Sequence, residues 1–499
     1  MKPVEAMGAR MRGGAATLLA GKLFSGALGT LVRIIVLANL LGPTELGLYG
    51  AAMLAIGFLE VFTQSGLRQA IIQTEDTSPI TLSTAWTIQA VRGMLLGLIL
   101  WAASPALAAM VNRPDASLPI AVLALAPMLM GFSSIGVNFL ERKLQYGRYV
   151  LLTTGMSIVE LVVAITYAMY SPTVWALVIG RIAACTFYLI FSFVISQTHA
   201  RPGFSFSKAK ELLSYGMWIL VSGLIAYALI KGGDYVVLHY LGPEDYGIWY
   251  LAYALATLPI MQVVHTVGVV TFSGFSRLKT DVTRLRTAFL KSFLVIATIS
   301  FFISMLIIAI AQPFEELCLS DDYAGAGDLI EILAIWGLSR ALGAANTSLF
   351  QAVGRPALAS VFQFVMLVLA AITVIPAATA FGAIGVAWTL AFVGLAVQPM
   401  RYPLTCRDLK MPSSNIYLRV GAPLTAAIAG VSAAKILTFF TPNLHPAIHI
   451  ILTPSAAAIS FLAVMSLWLR HTGLELATVL SEILPRPLKK WSPRRAGSS

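Results

Sequence analysis

Leu41-Gly42-Pro43-Thr44-Glu45-Leu46-Gly47-Leu48-Tyr49 returns 200 residues later as Leu241-Gly242-Pro243-Glu244-Asp245-Tyr246-Gly247-Ile248-Trp249. Each copy joins two long apolar segments. Gly-Pro ends one helix, the acidic residue starts the next, and the second glycine is expected to let the hairpin close tightly. A Gly-Pro dipeptide recurs by chance, but a nine-residue match at a fixed offset between two such hairpins marks a duplicated chain. In a membrane protein, duplication of this kind points to a solute path between two repeats.

Composition places the chain in the bilayer. Hydrophobic residues make up 58% of it and charged residues 11%, with a mean hydropathy of +0.83, far from the range of water-soluble domains. At about 20 apolar residues per span, the chain divides into about fourteen transmembrane helices. The expected architecture is all-α: two pseudo-symmetric six-helix lobes at 1–196 and 213–403, a cytoplasmic linker elbow at 197–212, two extra transmembrane helices at 404–470 and a basic tail at 471–499. The first apolar run is too long for a cleaved signal segment and reads as a retained span. In the elbow, Phe204 and Phe206 alternate with polar neighbours, as suits either a lipid interface or a solvated loop.

The net charge of +12 does not indicate a nucleic-acid partner, because of where the charges fall. Basic residues such as Arg142, Lys143, Arg201, Lys208, Lys210, Arg277, Arg355, Arg401 and Arg407 occupy alternate connections, while the opposite set carries Arg113 alone. Positive residues stay on the cytoplasmic side, so both termini are expected there. The longest opposite connection, Gln312 to Gly327, is acidic through Glu315, Glu316, Asp321 and Asp322. Cys318 in that loop and Cys406 in an inner loop cannot pair across the membrane. The six histidines are scattered and no metal-ligand spacing is present. The expected cofactor set is empty, apart from a proton or sodium ion for coupling.

Charges inside the spans are the candidates for chemistry, since each costs at least about 2.5–3.5 kcal/mol to insert. Lys291, Arg419, Lys435 and Glu331 lie near span ends, where long side chains snorkel to the surface. Near the midplane remain Arg33, Arg92, Arg181, Lys231 and Arg340, opposed by Glu60, Glu160 and Asp234. Glu60, Gln64 and Arg68 recur at i, i+4 and i+8 and form one polar stripe. Lys231 and Asp234 are i, i+3 on one helix, and a salt bridge explains them as well as a ligand site does. The basic excess suits a wet, electropositive cavity and an anionic substrate, because arginine matches phosphate oxygens bidentately. Arg33, Arg340, Lys231, Arg92, Arg181, Arg68 and Gln64 are thus the substrate-binding candidates, with Glu60, Asp234 and Glu160 as carriers of a coupling ion or proton. The repeats differ here: Arg33 faces Gly233, and Glu60, Gln64 and Arg68 face Ile260, Val264 and Gly268.

Leu37 to Gln73, Glu141-Arg142-Lys143-Leu144, Leu241 to Asp281 and Gly354-Arg355-Pro356 together resemble the polysaccharide transporter branch of the multidrug/oligosaccharidyl-lipid/polysaccharide (MOP) flippase superfamily, and within it the Wzx/WzxC-like flippases. The resemblance implies a non-enzymatic, multi-pass protein of the bacterial cytoplasmic (inner) membrane. It would move an undecaprenyl-diphosphate-linked oligosaccharide, a lipopolysaccharide O-unit or exopolysaccharide repeat, to the outer leaflet by alternating access. It also implies membrane lipids, a polysaccharide polymerase and a chain-length regulator as partners. Related lipid II flippases carry a basic residue nine positions before the hairpin glycine, where Arg33 precedes Gly42, which implies a diphosphate ligand. Relatives often place another basic residue in the Tyr250-to-Leu255 run; this chain has Ala254, leaving that part to Lys231 or Arg340. By the same analogy the two extra helices form a groove for the polyprenyl tail.

Two other functions fit parts of the sequence. A cation-coupled multidrug antiporter of the same superfamily would favour an acidic cavity, against the basic excess seen here. A polysaccharide polymerase or ligase would need a catalytic constellation and a sizeable outer loop, and neither is evident.

Overall fold

The computed structural model describes residues 29–62, 78–110, 113–137, 140, 146–196, 202–209, 216–278 and 280–472. Every regular element among them is helical: α1 Gly29–Leu40, α2 Pro43–Phe62, α3 Pro79–Met110, α4 Ser117–Leu123, α5 Leu125–Gly131, α6 Tyr146–Tyr170, α7 Val174–Ile195, α8 Gly216–Leu241, α9 Pro243–Leu278, α10 Val282–Cys318, α11 Ala326–Ala352, α12 Pro356–Asp408, α13 Ser414–Phe440 and α14 Pro446–Thr472. Helices satisfy all backbone polar groups within one segment, as hydrocarbon demands. Among the described residues nine helices are long and apolar enough to cross a membrane, where the sequence suggests about fourteen. Two reasons contribute to the difference: most of the first expected span lies outside the described residues, and α12 counts once although it is broken. Gly382 breaks it with φ 62° and ψ −151°, a conformation essentially confined to glycine. The break falls at the very start of the span expected at 381–403, which follows the one expected at 356–379.

The chain forms two compact units. The first comprises Met1–Leu255, Cys318–Leu329 and Gln363–Leu390; the second comprises Ala256–Leu317, Ile330–Phe362 and Ala391–Ser499.

In the first unit, each repeated hairpin starts its second helix at a proline, which has no N–H to leave unsatisfied at that position. Only the second copy uses a left-handed glycine to end the preceding helix, Gly242 at φ 97°. The second glycine of each copy has a role different from the expected hairpin closure. A methyl built on Gly47 would overlap the Pro243 carbonyl, and one built on Gly247 would overlap the Pro43 carbonyl. The two hairpins cross backbone to backbone, each contributing the glycine that admits the other. Leu37, Leu41, Leu46, Tyr246 and Trp249, in or beside the two motifs, are fully buried, as is Tyr323. The Tyr323 hydroxyl donates to the Leu41 carbonyl at 3.1 Å, and burial pushes this phenol well above its ordinary pKa.

Glu45 ties a further helix to this region. Its carboxylate accepts the Val174 N–H at 2.6 Å, capping the start of α7 where free N–H groups and the helix dipole favour a negative charge. Arg113, the basic residue that sequence places opposite the others, is held by Asp115 at 2.7 Å and stands 4.0 Å from Glu45. Glu45→Ala is expected to cost about 1–2 kcal/mol, as loss of a charged cap does, while Glu45→Gln retains an acceptor and costs less. Thermal unfolding of the purified protein in detergent checks this ordering.

Within the expected elbow, Ser205 donates its N–H to Thr84 at 3.0 Å and Thr87 donates to the Gly203 carbonyl at 2.8 Å. Phe204 and Phe206 remain exposed.

In the second unit, α13 and α14 pair along their length over a core that includes Phe301, Met305, Ala426 and Phe461. Two loop expectations are corrected here and at the unit's edge. Most of Gln312 to Gly327 is helical, because α10 accommodates Pro313 and continues to Cys318; a helix in a bundle tolerates proline where its neighbours offset the lost bond. The expected inner loop after residue 403 is also helix, as far as Asp408, with Cys406 buried.

Candidate functional site

α8 carries the best-defined charged site. Lys231 and Asp234 lie one turn apart, and the lysine Nζ donates to Asp234 Oδ2 at 2.5 Å. The antiparallel α8–α9 hairpin then brings the first turns of α9 alongside. Trp249 Nε1 donates to Asp234 Oδ1 at 3.0 Å, and the Tyr246 hydroxyl donates to Oδ2 at 3.4 Å. Asp234 is 1% exposed, and three donors converge on its carboxylate, which removes the penalty of an unmatched buried charge. Lys231 Nζ also stands 5.1 Å from the centre of the Tyr253 ring, within range of a cation–π contact. Its side chain keeps 28% exposure because it faces a cavity of about 770 Å³ bordered by α2, α3, α4, α8 and α12. Among the described residues Lys231 is the one Lys, Arg, Asp or Glu in that wall, and the rest is chiefly apolar.

A second charged cluster in the same unit joins α6 with α7. Gly180 lets the helices approach, since a methyl there would sit 2.8 Å from Ala164 Cβ and 3.0 Å from the Glu160 carbonyl. The next residue, Arg181, reaches Glu160 at 3.5 Å; Glu160 is 5% exposed. Arg92 of α3 donates to the backbone carbonyl of Glu60 on α2 at 2.9 Å. Lys231, Asp234, Arg181, Glu160, Arg92 and Glu60 are therefore all placed in the first unit, as two ion pairs and one charge-to-carbonyl bond.

In the second unit, Arg340 lies over Trp336, 6.0 Å from the ring centre. Lys435 and Glu331, each expected to snorkel separately, pair across α13 and α11 at 2.8 Å. Arg419 donates to the Asn415 carbonyl at 2.8 Å. Arg401, read from sequence as an inner-loop charge, is 6% exposed on α12. It donates to the Gly343 carbonyl at 3.4 Å and lies 5.4 Å from the Phe362 ring centre. Gln398 bonds the Ser339 carbonyl at 2.8 Å and Thr405 bonds Asn346 at 2.9 Å, so 398, 401 and 405 form a buried polar seam between α12 and α11. That seam was legible as a three-to-four-residue spacing, but charge counting by loops hid it.

Gln64 and Arg68 lie outside the described residues, as does the side chain of Arg33, whose backbone belongs to α1. Among the described residues no group of three His, Cys, Asp or Glu side chains is placed to hold a metal. Sequence reasoning missed Tyr246 and Trp249 as partners of Asp234. The signal was available in the repeat, because Ile34 and Leu46 of the first copy become Asp234 and Tyr246 in the second, two polar replacements that arrive together.

Residues 36–328 match the family described as polysaccharide biosynthesis protein, and the chain belongs to that family. It is 22% identical to the lipopolysaccharide biosynthesis protein WzxC of Escherichia coli K12 over 73% of this chain and 74% of that protein. Identity is again 22% to the teichuronic acid biosynthesis protein TuaB of Bacillus subtilis, over 87% of this chain and 90% of that one. The succinoglycan biosynthesis transport protein ExoT of Rhizobium meliloti is 22% identical over 61% of this chain and 62% of its own length. Among solved structures, the lipid II flippase MurJ in an inward closed conformation matches with a TM-score of 0.68 at 14% identity, covering 92% of this chain and 99% of that chain. An inward-facing multidrug resistance transporter of the MATE family, in the MOP superfamily, gives 0.63 at 16% identity over 79% and 98%. At these identities the structural likeness speaks for the fold.

Proposed function

We propose that this member of the polysaccharide biosynthesis protein family is a flippase for undecaprenyl-diphosphate-linked oligosaccharide, carrying a lipopolysaccharide O-unit or exopolysaccharide repeat from the cytoplasmic to the outer leaflet of the bacterial inner membrane. The observation that carries the reading is family membership in a chain built of membrane helices; relatives named for polysaccharide biosynthesis and transport support it. In this reading the two six-helix lobes alternate access, both termini are cytoplasmic, and a polymerase and chain-length regulator receive the product. The protein is not an enzyme: it contributes binding and conformational change.

Arg33, Arg340, Lys231, Arg92, Arg181, Arg68 and Gln64 serve the anionic head, and Glu60, Asp234 and Glu160 carry a coupling proton or sodium ion. Two of the cations are ion-paired, Lys231 with Asp234 and Arg181 with Glu160. A diphosphate entering beside them competes with a carboxylate for the same N–H donors, which gives substrate binding and ion coupling a shared set of groups.

The test is glycan export in cells whose own flippase has been deleted. Arg33→Ala and Arg340→Ala are each expected to lose export while the protein stays inserted at normal abundance. Lys at either position restores only part, because the charge returns without the bidentate fork. Full export by a stable Arg33→Ala, Arg340→Ala double mutant would end the head-group assignment. Movement of cationic dyes without export of glycan would favour the drug-antiporter alternative.

A further inference from the structure

The cavity beside Lys231 is chiefly apolar and follows α8 over several turns. Along α8 its wall runs from Leu224 through Lys231 to Tyr240. That stretch of helix is about 24 Å long at 1.5 Å per residue. A chiefly apolar space along so much of a helix suits a hydrocarbon chain. Leucine, alanine, isoleucine, valine and phenylalanine make up most of the wall, and of its polar-tipped residues Tyr227 already donates to the Leu54 carbonyl and Tyr235 stacks on His239; a sugar hydroxyl buried there without a hydrogen bond would cost about 1–3 kcal/mol. A water-soluble glycan is therefore a poor occupant.

Lys231, the one Lys, Arg, Asp or Glu among the described lining residues, decides what kind of chain fits. Lys231 carries three N–H donors, of which Asp234 takes one. An apolar chain with an anionic group partway along it satisfies both the wall and the lysine. We infer that the cavity seats the isoprenoid segment adjoining the phosphate of a polyprenyl-phosphate-linked substrate, with the phosphate at Lys231. The inference rests on the transport reading above and locates the lipid rather than the sugar. It differs from a tail groove on the two extra helices. On their seam, Gly430 of α13 lies against Met305 and the Ala457 carbonyl of α14, so closely that an added methyl would overlap them.

Gly232 provides a way to plug the cavity without disturbing the bundle. It lines the space, and a methyl built on it meets no atom within 4 Å; replacing a helical glycine also favours the helix. Ala371 lines the same space from α12. The experiment uses the full chain in phosphatidylcholine nanodiscs with undecaprenyl phosphate bearing a diazirine in its first isoprene units, and the crosslinked peptides are sequenced. The expected label falls on α2, α8 and α12, and drops at least tenfold in Gly232→Trp and in Ala371→Phe. In Lys231→Gln, labelling by the phosphate falls to the level given by uncharged undecaprenol. Unchanged labelling in both plugged variants, label confined to α13 and α14, or displacement by an equal amount of phosphatidylglycerol would each overturn the assignment.

Export measured in parallel separates the two readings. If the wild-type protein exports glycan but takes no label in this cavity, the inference fails and the transport reading stands. If label enters the cavity but no glycan is exported, the transport reading fails and a site for isoprenoid phosphate remains.

Discussion

Gly47→Leu and Gly247→Leu are expected to remove nearly all folded protein from the membrane, and with it all glycan export, while Gly42→Ala leaves both unchanged. All three glycines lie within the repeated motif, and sequence does not rank them. The structure does. Any side chain at Gly47 runs into the Pro243 carbonyl, and any at Gly247 into the Pro43 carbonyl, whereas a methyl at Gly42 meets no atom within 4 Å. Overpacking against backbone cannot be relieved by a rotamer change, so even Gly47→Ala should cost about 3 kcal/mol, the upper end of the usual range. Gly242→Ala is intermediate: it has space, but its φ of 97° strains a residue with a Cβ by about 1–2 kcal/mol. The Gly47→Ala, Gly247→Ala double mutant should cost less than the sum of the singles, because one separation of the hairpins relieves both overlaps. Membrane abundance and thermal unfolding in detergent measure the order. Equal effects at Gly42 and Gly47 would contradict the crossing.

The second large effect is expected at Asp234. Asp234→Ala leaves Lys231 without its counter-charge and takes the acceptor from Trp249 and Tyr246, a loss of about 3–5 kcal/mol for one partner of a buried pair. Abundance should fall sharply. Replacing the pair together, Lys231→Met with Asp234→Leu, should return much of the stability, since apolar residues of similar volume often equal a buried ion pair. Export then separates the two roles. If Lys231 binds the phosphate and Asp234 takes part in coupling, the double variant is abundant and inactive. If the pair only joins α8 to α9, the double variant is abundant and exports normally. Asp234→Asn adds a control, because its amide oxygen still accepts one hydrogen bond while the negative charge is gone.

Arg401 and Asp234 show why some of the site could be read from sequence and some could not. Asp234 stood out because a carboxylate within an apolar run is costly anywhere in the span, and its partner at i−3 followed from helix periodicity. Its other partners, Trp249 and Tyr246, belong to the next helix, and only the hairpin brings them near. Arg401 was hidden by a different effect. A charge near a span end reads as a loop charge, and the extension of α12 to Asp408, which moves Arg401 into the bundle, depends on its packing against α11.

The duplication, the helical class, the membrane setting and the family were all present in the amino-acid order, because each is a matter of local pattern: a repeated motif, a run length, a hydropathy, a periodicity. Sequence also identified which residues are costly enough in hydrocarbon to need a reason. What Gly47 and Gly247 are for, which donors hold Asp234, and that Lys231 faces a long apolar cavity were decided only by tertiary structure. These are contacts between segments as far apart in the chain as Ala51 and Leu390, and no local pattern encodes which backbone oxygen will lie against a given glycine once helices pack.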